Sequence, residues 1–318
     1  MKLDLNTYRN IGDQKADKFV NNYFEFDTKK KLLYEALALL KSNSDWAQFL
    51  KSIPEAKWFD KEIINIPLPD EKSRATAIHF FQSKEIYILQ LLGLLSLPYC
   101  YAAAEGAEVL YQTERMYKDI KTRLEETAGF VKAMMQLNTM DLKGEGKVQL
   151  FKVRVMHAAA RYYLKKTKWN PAFGLPVNQE DMAGTNLSFS LIVIRGLRKM
   201  GFTISYEEQM SYIKYWSWVG AMLGVKSEIL PANGKEAHDL DRTIAKRQFK
   251  TSEAGKKLTL SLLNCFYQLN DQSEISNKEI VGFMRFLLGD EIAEILDLPP
   301  SNFPFSKQVL LKLKITFS

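Results

Sequence analysis

The chain has 318 residues, of which 46% are hydrophobic and 25% charged, with 16 Gly and 10 Pro; this supports a packed core and excludes collagen-like and low-complexity classes. Lys and Arg outnumber Asp and Glu by 44 to 37, a net +7, but the excess is scattered. Lys29 to Lys31, Lys165 to Lys168 and the lysines from Lys307 to Lys314 are short patches without interleaved stacking aromatics, so no nucleic-acid surface is expected.

Apolar residues recur at three- and four-residue spacing almost throughout and alternating runs are nearly absent, which predicts an all-α fold. In chain order the spacing predicts helices over 14–24, 28–42, 73–97, 99–113, 114–138, 145–166, 178–200, 206–223, 235–249, 253–270 and 277–296. The run 87–104 is apolar and about as long as a thin bilayer requires, but it contains Gln90 and Pro98 and meets Glu105 at once. A buried helix pair broken near Leu97 is expected there instead of a membrane span. Gly144 and Gly146, the rigid stretch from Pro171 to Pro176, and Gly201 mark stops with local causes. Asn178 is placed to cap the next helix, with Glu180 and Asp181 in its first turn and Gly184, Thr185 and Ser188 keeping it narrow. Only the tail, VLLKLKITFS, hints at a strand. Without a Ser/Gly/Pro-rich linker or a repeat period, one domain over 1–318 is expected, with 1–70 as a candidate appended helical layer.

Cys100 and Cys265 lie far apart, without CxxC or Cys/His spacing, which argues against a zinc site and a disulfide framework. The first residues mix acids and bases where a secretory leader needs a basic start and then an apolar stretch. A cytoplasmic location is expected.

Histidine chemistry has three candidates, His79, His157 and His238. In KVRVMHAAARYYLKK the helical neighbours of His157 at three and four residues are Val153, Arg154, Ala160 and Arg161. A flat iron macrocycle on a helix needs a neutral imidazole, small neighbours such as Ala158, Ala159 and Ala160, and cations for its carboxylates. On spacing alone, a core histidine beside salt-bridged arginines is the competing reading. A second face, on TRLEETAGFVKAMM, groups Arg123, Glu126, Thr127 and Phe130. It reads either as an ion pair on a solvated surface or as a polar cluster beside a cofactor.

In combination, four ordered segments carry a family likeness: RLEETAGFV from Arg123, KVRVMHAAAR around His157, GLPVNQEDMAGTNLSFS from Gly174 and YEEQMSYIKYWSWVGAMLGV from Tyr206. They resemble the haem-dependent oxygenases that include latex clearing protein, a rubber oxygenase, and the mycophenolic-acid side-chain oxygenase. SLPYCYAAAEGAEVLY and LLGDEIAEILDLP extend the likeness to about 91–298. The resemblance implies a globin-like helical core around haem b, with His157 as the proximal iron ligand. It also implies Arg123 and Thr127 on the distal side, where the rubber oxygenase pattern has a Lys at the position of Glu126.

These expectations assemble into a haem b oxygenase that uses dioxygen on a small apolar, unsaturated isoprenoid or lipid inside the cell. Arg154 and Arg161 are the expected propionate partners. Glu126 is the candidate proton acceptor if burial raises its pKa, with Glu105 and Glu108 behind it. A haem-binding protein without turnover, acting in sensing, storage or electron transfer, and a haem-free scaffold for a lipid or partner helix are the alternatives.

Overall fold

A computed structural model describes residues 4–113, 119–167, 169–270 and 276–301. The tail that hints at a strand, and the 114–118 start of one expected helix, lie outside them. Among the described residues every regular element is helical, and the sole β feature is an isolated antiparallel bridge between Ala103 and Phe249.

The N-terminal segment forms α1 (Leu5–Arg9), α2 (Gln14–Phe24), α3 (Asp27–Leu39), α4 (Trp46–Ser52) and α5 (Trp58–Ile63). Next come α6 (Glu71–Ser83), α7 (Glu85–Leu91), a π-helical turn (Leu92–Ser96), α8 (Leu97–Tyr101) and α9 (Ala104–Gln112). The centre holds α10 (Ile120–Met134), α11 (Gly146–Leu164), α12 (Gln179–Phe189) and α13 (Leu191–Lys199). The chain continues through α14 (Tyr206–Met222), α15 (Gly234–Gln248), α16 (Glu253–Leu269), α17 (Asn277–Leu288) and α18 (Asp290–Ile295).

The helix starts have the caps that the sequence announces. The Asn178 side chain accepts from the Asp181 backbone N–H at 2.9 Å, and Ser205 with Glu208 and Ser276 with Glu279 close reciprocal capping boxes. Several expected long helices are instead broken in two. The 178–200 stretch turns at Ser190, whose hydroxyl donates to the Asn186 carbonyl at 3.0 Å, and 277–296 turns at Gly289, at φ +89°.

The expected break near Leu97 does not occur. The helix passes through Leu92–Ser96 in π register, with the Leu97 N–H donating to the Leu92 carbonyl. A proline ring clashes with the carbonyl four residues back, and widening the preceding turn removes that carbonyl from its path, so Pro98 continues the helix. Gly196 lets α13 lie against this turn: a Cβ there would stand 2.7 Å from both Leu91 and Leu95. Among the described residues no helix is long and apolar enough to cross a membrane.

Residues 43–70, for which no helix was expected, carry the short α4 and α5 and two 3₁₀ turns. Their signal is aromatic rather than periodic. Phe151 of α11 packs with ring centroids 5.0 Å from Trp46, 5.5 Å from Phe49 and Phe59, and 5.8 Å from Phe19. Through this cluster the first seventy residues share one contiguous apolar core with the rest, running from Leu5 to Leu298. That core places α11 between the N-terminal layer and α9 and α10.

Candidate functional site

Helix α11 turns different faces to different neighbours. Arg154 and Arg161, seven residues apart, face α2 and the segment before it, whereas Met156 meets α10, where Arg123 Nη1 approaches its sulfur at 3.6 Å. His157 lies between these two faces.

The other two histidines are exposed, His238 with 61% of its side chain accessible. His157 differs in two ways. Burial pushes its pKa down to about 3, helped by the positive charges of Arg161, Arg123 and Arg154 against the opposing effect of Asp13. The ring is therefore neutral at physiological pH. Its Nδ1 is also buried without a hydrogen-bond partner, although the residue keeps part of its surface accessible. An unpaired buried ring nitrogen is an orphan of the kind a ligand resolves.

The flanking arginines are already engaged. Arg154, 3% exposed, forms a two-pronged pair with Asp13 at 2.7 and 2.9 Å, meets Glu62 at 2.5 Å, and lies 4.8 Å over the Trp58 ring. Arg161, 1% exposed, pairs with Asp17 at 2.6 Å and donates to the Val177 carbonyl at 2.9 Å. Arg161 keeps a buried Nη2 without a partner, and Arg154 has no such orphan. The salt-bridged reading thus describes Arg154 well, and Arg161 in part.

On α10, Arg123 and Glu126 form an i, i+3 ion pair at 2.5 Å, and the Thr127 hydroxyl donates to the Arg123 carbonyl at 2.8 Å. Arg123 is the more buried partner; Glu126 is 43% exposed, so the expected burial of this carboxylate is not found. The charge of Arg123 also reaches the Tyr101 hydroxyl, fully buried and unpartnered. His157 Nδ1 and the Tyr101 hydroxyl, both within the influence of the Arg123 charge, are thus two buried polar atoms without partners.

A second cluster joins α1, α9, α12 and α15. Arg9 pairs with Glu105 at 2.9 Å, Glu180 at 3.2 Å and Asp181 at 3.1 Å, while Arg247 meets Glu180 at 2.8 Å and Lys250 meets Glu105 at 2.9 Å. The acids of α12 were legible as first-turn residues, but nothing in the sequence joins them to Arg9, about 170 residues away. Burial pushes the pKa of Asp181 up to about 6, with Glu180 and Glu105 adding to the shift and Arg9 opposing it. From about pH 4 to about 6 the folded chain then holds a proton that the unfolded chain has lost, so this residue's contribution to stability falls as pH rises through that window. Urea unfolding at several pH values should show Asp181→Asn losing this downward slope relative to wild type. Parallel profiles for the two proteins would discard the assignment.

Three comparisons bear on this arrangement. A family model described as "ER-bound oxygenase mpaB/B'/Rubber oxygenase, catalytic domain" matches residues 88–309. The rubber oxygenase of Streptomyces sp. (strain K30) is 25% identical over 233 residues, which cover 72% of this chain and 56% of that protein. The chain thus spans little more than half the length of that relative. A solved structure of latex clearing protein in the closed state superposes with a TM-score of 0.77 at 21% identity, over 95% of this chain and 80% of that one. The fold match includes most of the segment before residue 88, in keeping with the shared core. With the family model matching well over half of its residues, the chain belongs to the oxygenase family of mpaB and rubber oxygenase catalytic domains.

Proposed function

We propose that the chain is a haem b-dependent oxygenase that acts with dioxygen on an apolar, unsaturated isoprenoid or lipid substrate inside the cell. The observation that carries this reading is His157, a deeply set, neutral imidazole with an unpaired buried nitrogen in a chain of an oxygenase family. One imidazole would suffice to hold an iron macrocycle that brings its own nitrogen donors, and the small side chains of Ala159 and Ala160 would permit close approach. The residues therefore fit haem b on its proximal side. When bound, the cofactor supplies the activation of dioxygen.

The chain's own groups have narrower roles. His157 holds the iron. Arg161, through its free buried Nη2, would take one propionate, whereas Arg154 is engaged by Asp13 and Glu62 and would serve the fold. Arg123 would supply N–H donors to dioxygen, with Glu126 orienting its guanidinium from the surface, and Thr127, whose hydroxyl donates to the Arg123 carbonyl, would hold that turn of the helix in place. Glu108, half-buried on α9 and accepting from Gln112 at 2.8 Å, suits a proton acceptor better than the exposed Glu126 or than Glu105, which Arg9 and Lys250 hold.

The test is an absorption spectrum of haem-supplemented protein, followed by oxygen uptake with a panel of unsaturated isoprenoids. A Soret band with substrate-dependent uptake supports the proposal; haem without uptake leaves a binding protein, and no Soret band removes the cofactor. Glu126→Gln should keep its haem, turn over within a few-fold of wild type and lose less than about 1 kcal/mol of stability, the usual scale for an exposed pair. Glu108→Gln should keep its haem but lose roughly a hundredfold in rate. A hundredfold loss in Glu126→Gln instead would return the proton-accepting role to Glu126.

A further inference from the structure

Away from His157, helix α13 sets Leu191, Ile194, Arg195 and Arg198 on one face at i, i+3, i+4 and i+7. With Lys199 and His238 of α15 they line an open groove of about 380 Å³. None of its walls comes from α10 or α11. The size lies within the range of small-molecule sites, about 300–1,000 Å³.

The groove combines an apolar floor with positive charge, and its cations differ in how far they are committed. Arg195 is paired with Asp241 at 2.6 Å and approaches the Tyr99 hydroxyl at 3.5 Å. Lys199 donates to the last carbonyls of α17, those of Phe286 at 3.2 Å and Leu287 at 2.9 Å, without a carboxylate partner among the described residues, while burial and the charge of Arg195 push its pKa down. Arg198 donates one N–H to Gln209 at 2.6 Å and has no carboxylate partner among the described residues, which leaves four of the five donors of a guanidinium uncommitted by side-chain pairing. His238 is largely exposed, with Asp239 3.9 Å away. No acid is among the lining residues, and Leu191 and Ile194 are buried apolar side chains at its base.

We propose that this groove binds an anionic amphiphile: its carboxylate or phosphate head against Arg198, Lys199 and His238, and the first part of its tail along Leu191 and Ile194. Guanidinium is matched to planar and tetrahedral oxyanions alike, so both heads share one recognition chemistry. A mainly apolar groove that also includes arginine and lysine side chains would favour a charged head that carries a chain over a bare anion or a neutral chain.

Calorimetry on the full chain would compare laurate, dodecyl phosphate, dodecanol and inorganic phosphate. Laurate or dodecyl phosphate should bind at least about tenfold more tightly than dodecanol and inorganic phosphate, and the stronger of the two identifies the head. Arg198→Glu and His238→Glu, both at exposed positions and outside the proposed haem site, should each weaken that binding by about tenfold or more while circular dichroism stays unchanged. Equal binding of dodecanol, equal binding of inorganic phosphate, no binding of either amphiphile, or unchanged affinity in both variants would each overturn the proposal; the last would put the amphiphile elsewhere. Because the measurement needs neither haem nor turnover, it stands apart from the oxygenase reading.

Discussion

Replacing His157 by Ala should reduce haem retention to less than about a tenth of wild type, a factor of ten corresponding to about 1.4 kcal/mol in affinity. His79→Ala and His238→Ala, at exposed positions, should keep the wild-type spectrum. The loss should not come from unfolding. His157 Nδ1 has no partner to strand, and removing an unpaired buried polar atom relieves a desolvation cost, so the apoprotein should keep its helical circular dichroism. A titration supplies an independent reading. With its folded pKa near 3 against an ordinary 6.5, His157 resists a proton that the unfolded chain accepts, so it lowers the stability of the wild-type apoprotein progressively as pH falls from about 6.5 towards 3. His157→Ala should be spared that part of the acid loss. Stoichiometric haem with an unchanged spectrum in His157→Ala would move the axial ligand elsewhere.

Why the sequence announces some of this arrangement and hides the rest follows from range. The helical class, the Asn178 cap and the isolation of His157 on a helical face are local properties, expressed within four residues along the chain. What Arg154 and Arg161 face is not local. Spacing puts both near His157, but Asp13 and Asp17, which engage them, arrive from α2 and the residue before it, about 140 residues upstream. The exposure of Glu126 is hidden for the same reason, because a three-residue spacing fixes its ion pair with Arg123 and says nothing about what covers that face. The π-helical passage through Pro98 was missed because a proline signals only the conflict, and the solution depends on how the preceding turn opens against its neighbours.

The pairing at Asp13 carries the second large expectation. Asp13 accepts two N–H groups from Arg154 and also caps α2 through the Ala16 N–H at 3.2 Å, and both side chains are nearly inaccessible. Gly224, at φ +86°, closes over them: a Cβ there would stand 3.1 Å from Arg154 Nη2. Asp13→Ala leaves a buried guanidinium facing only Glu62 and removes a cap, so unfolding free energy should fall by about 3–5 kcal/mol, the scale for breaking a buried pair from one side. Arg154→Leu together with Asp13→Ala should cost less than the two single changes added, since the double variant strands neither charge. Asp13→Asn, which keeps the cap and one acceptor, should fall between wild type and Asp13→Ala. Urea unfolding of the haem-free protein separates this role from the propionate role that spacing suggests. A structural Arg154 weakens the apoprotein before any cofactor is added. An Arg154→Leu variant whose apoprotein is as stable as wild type, but whose haem affinity drops about tenfold, would show that Arg154 serves the cofactor and that Asp13 only restrains it.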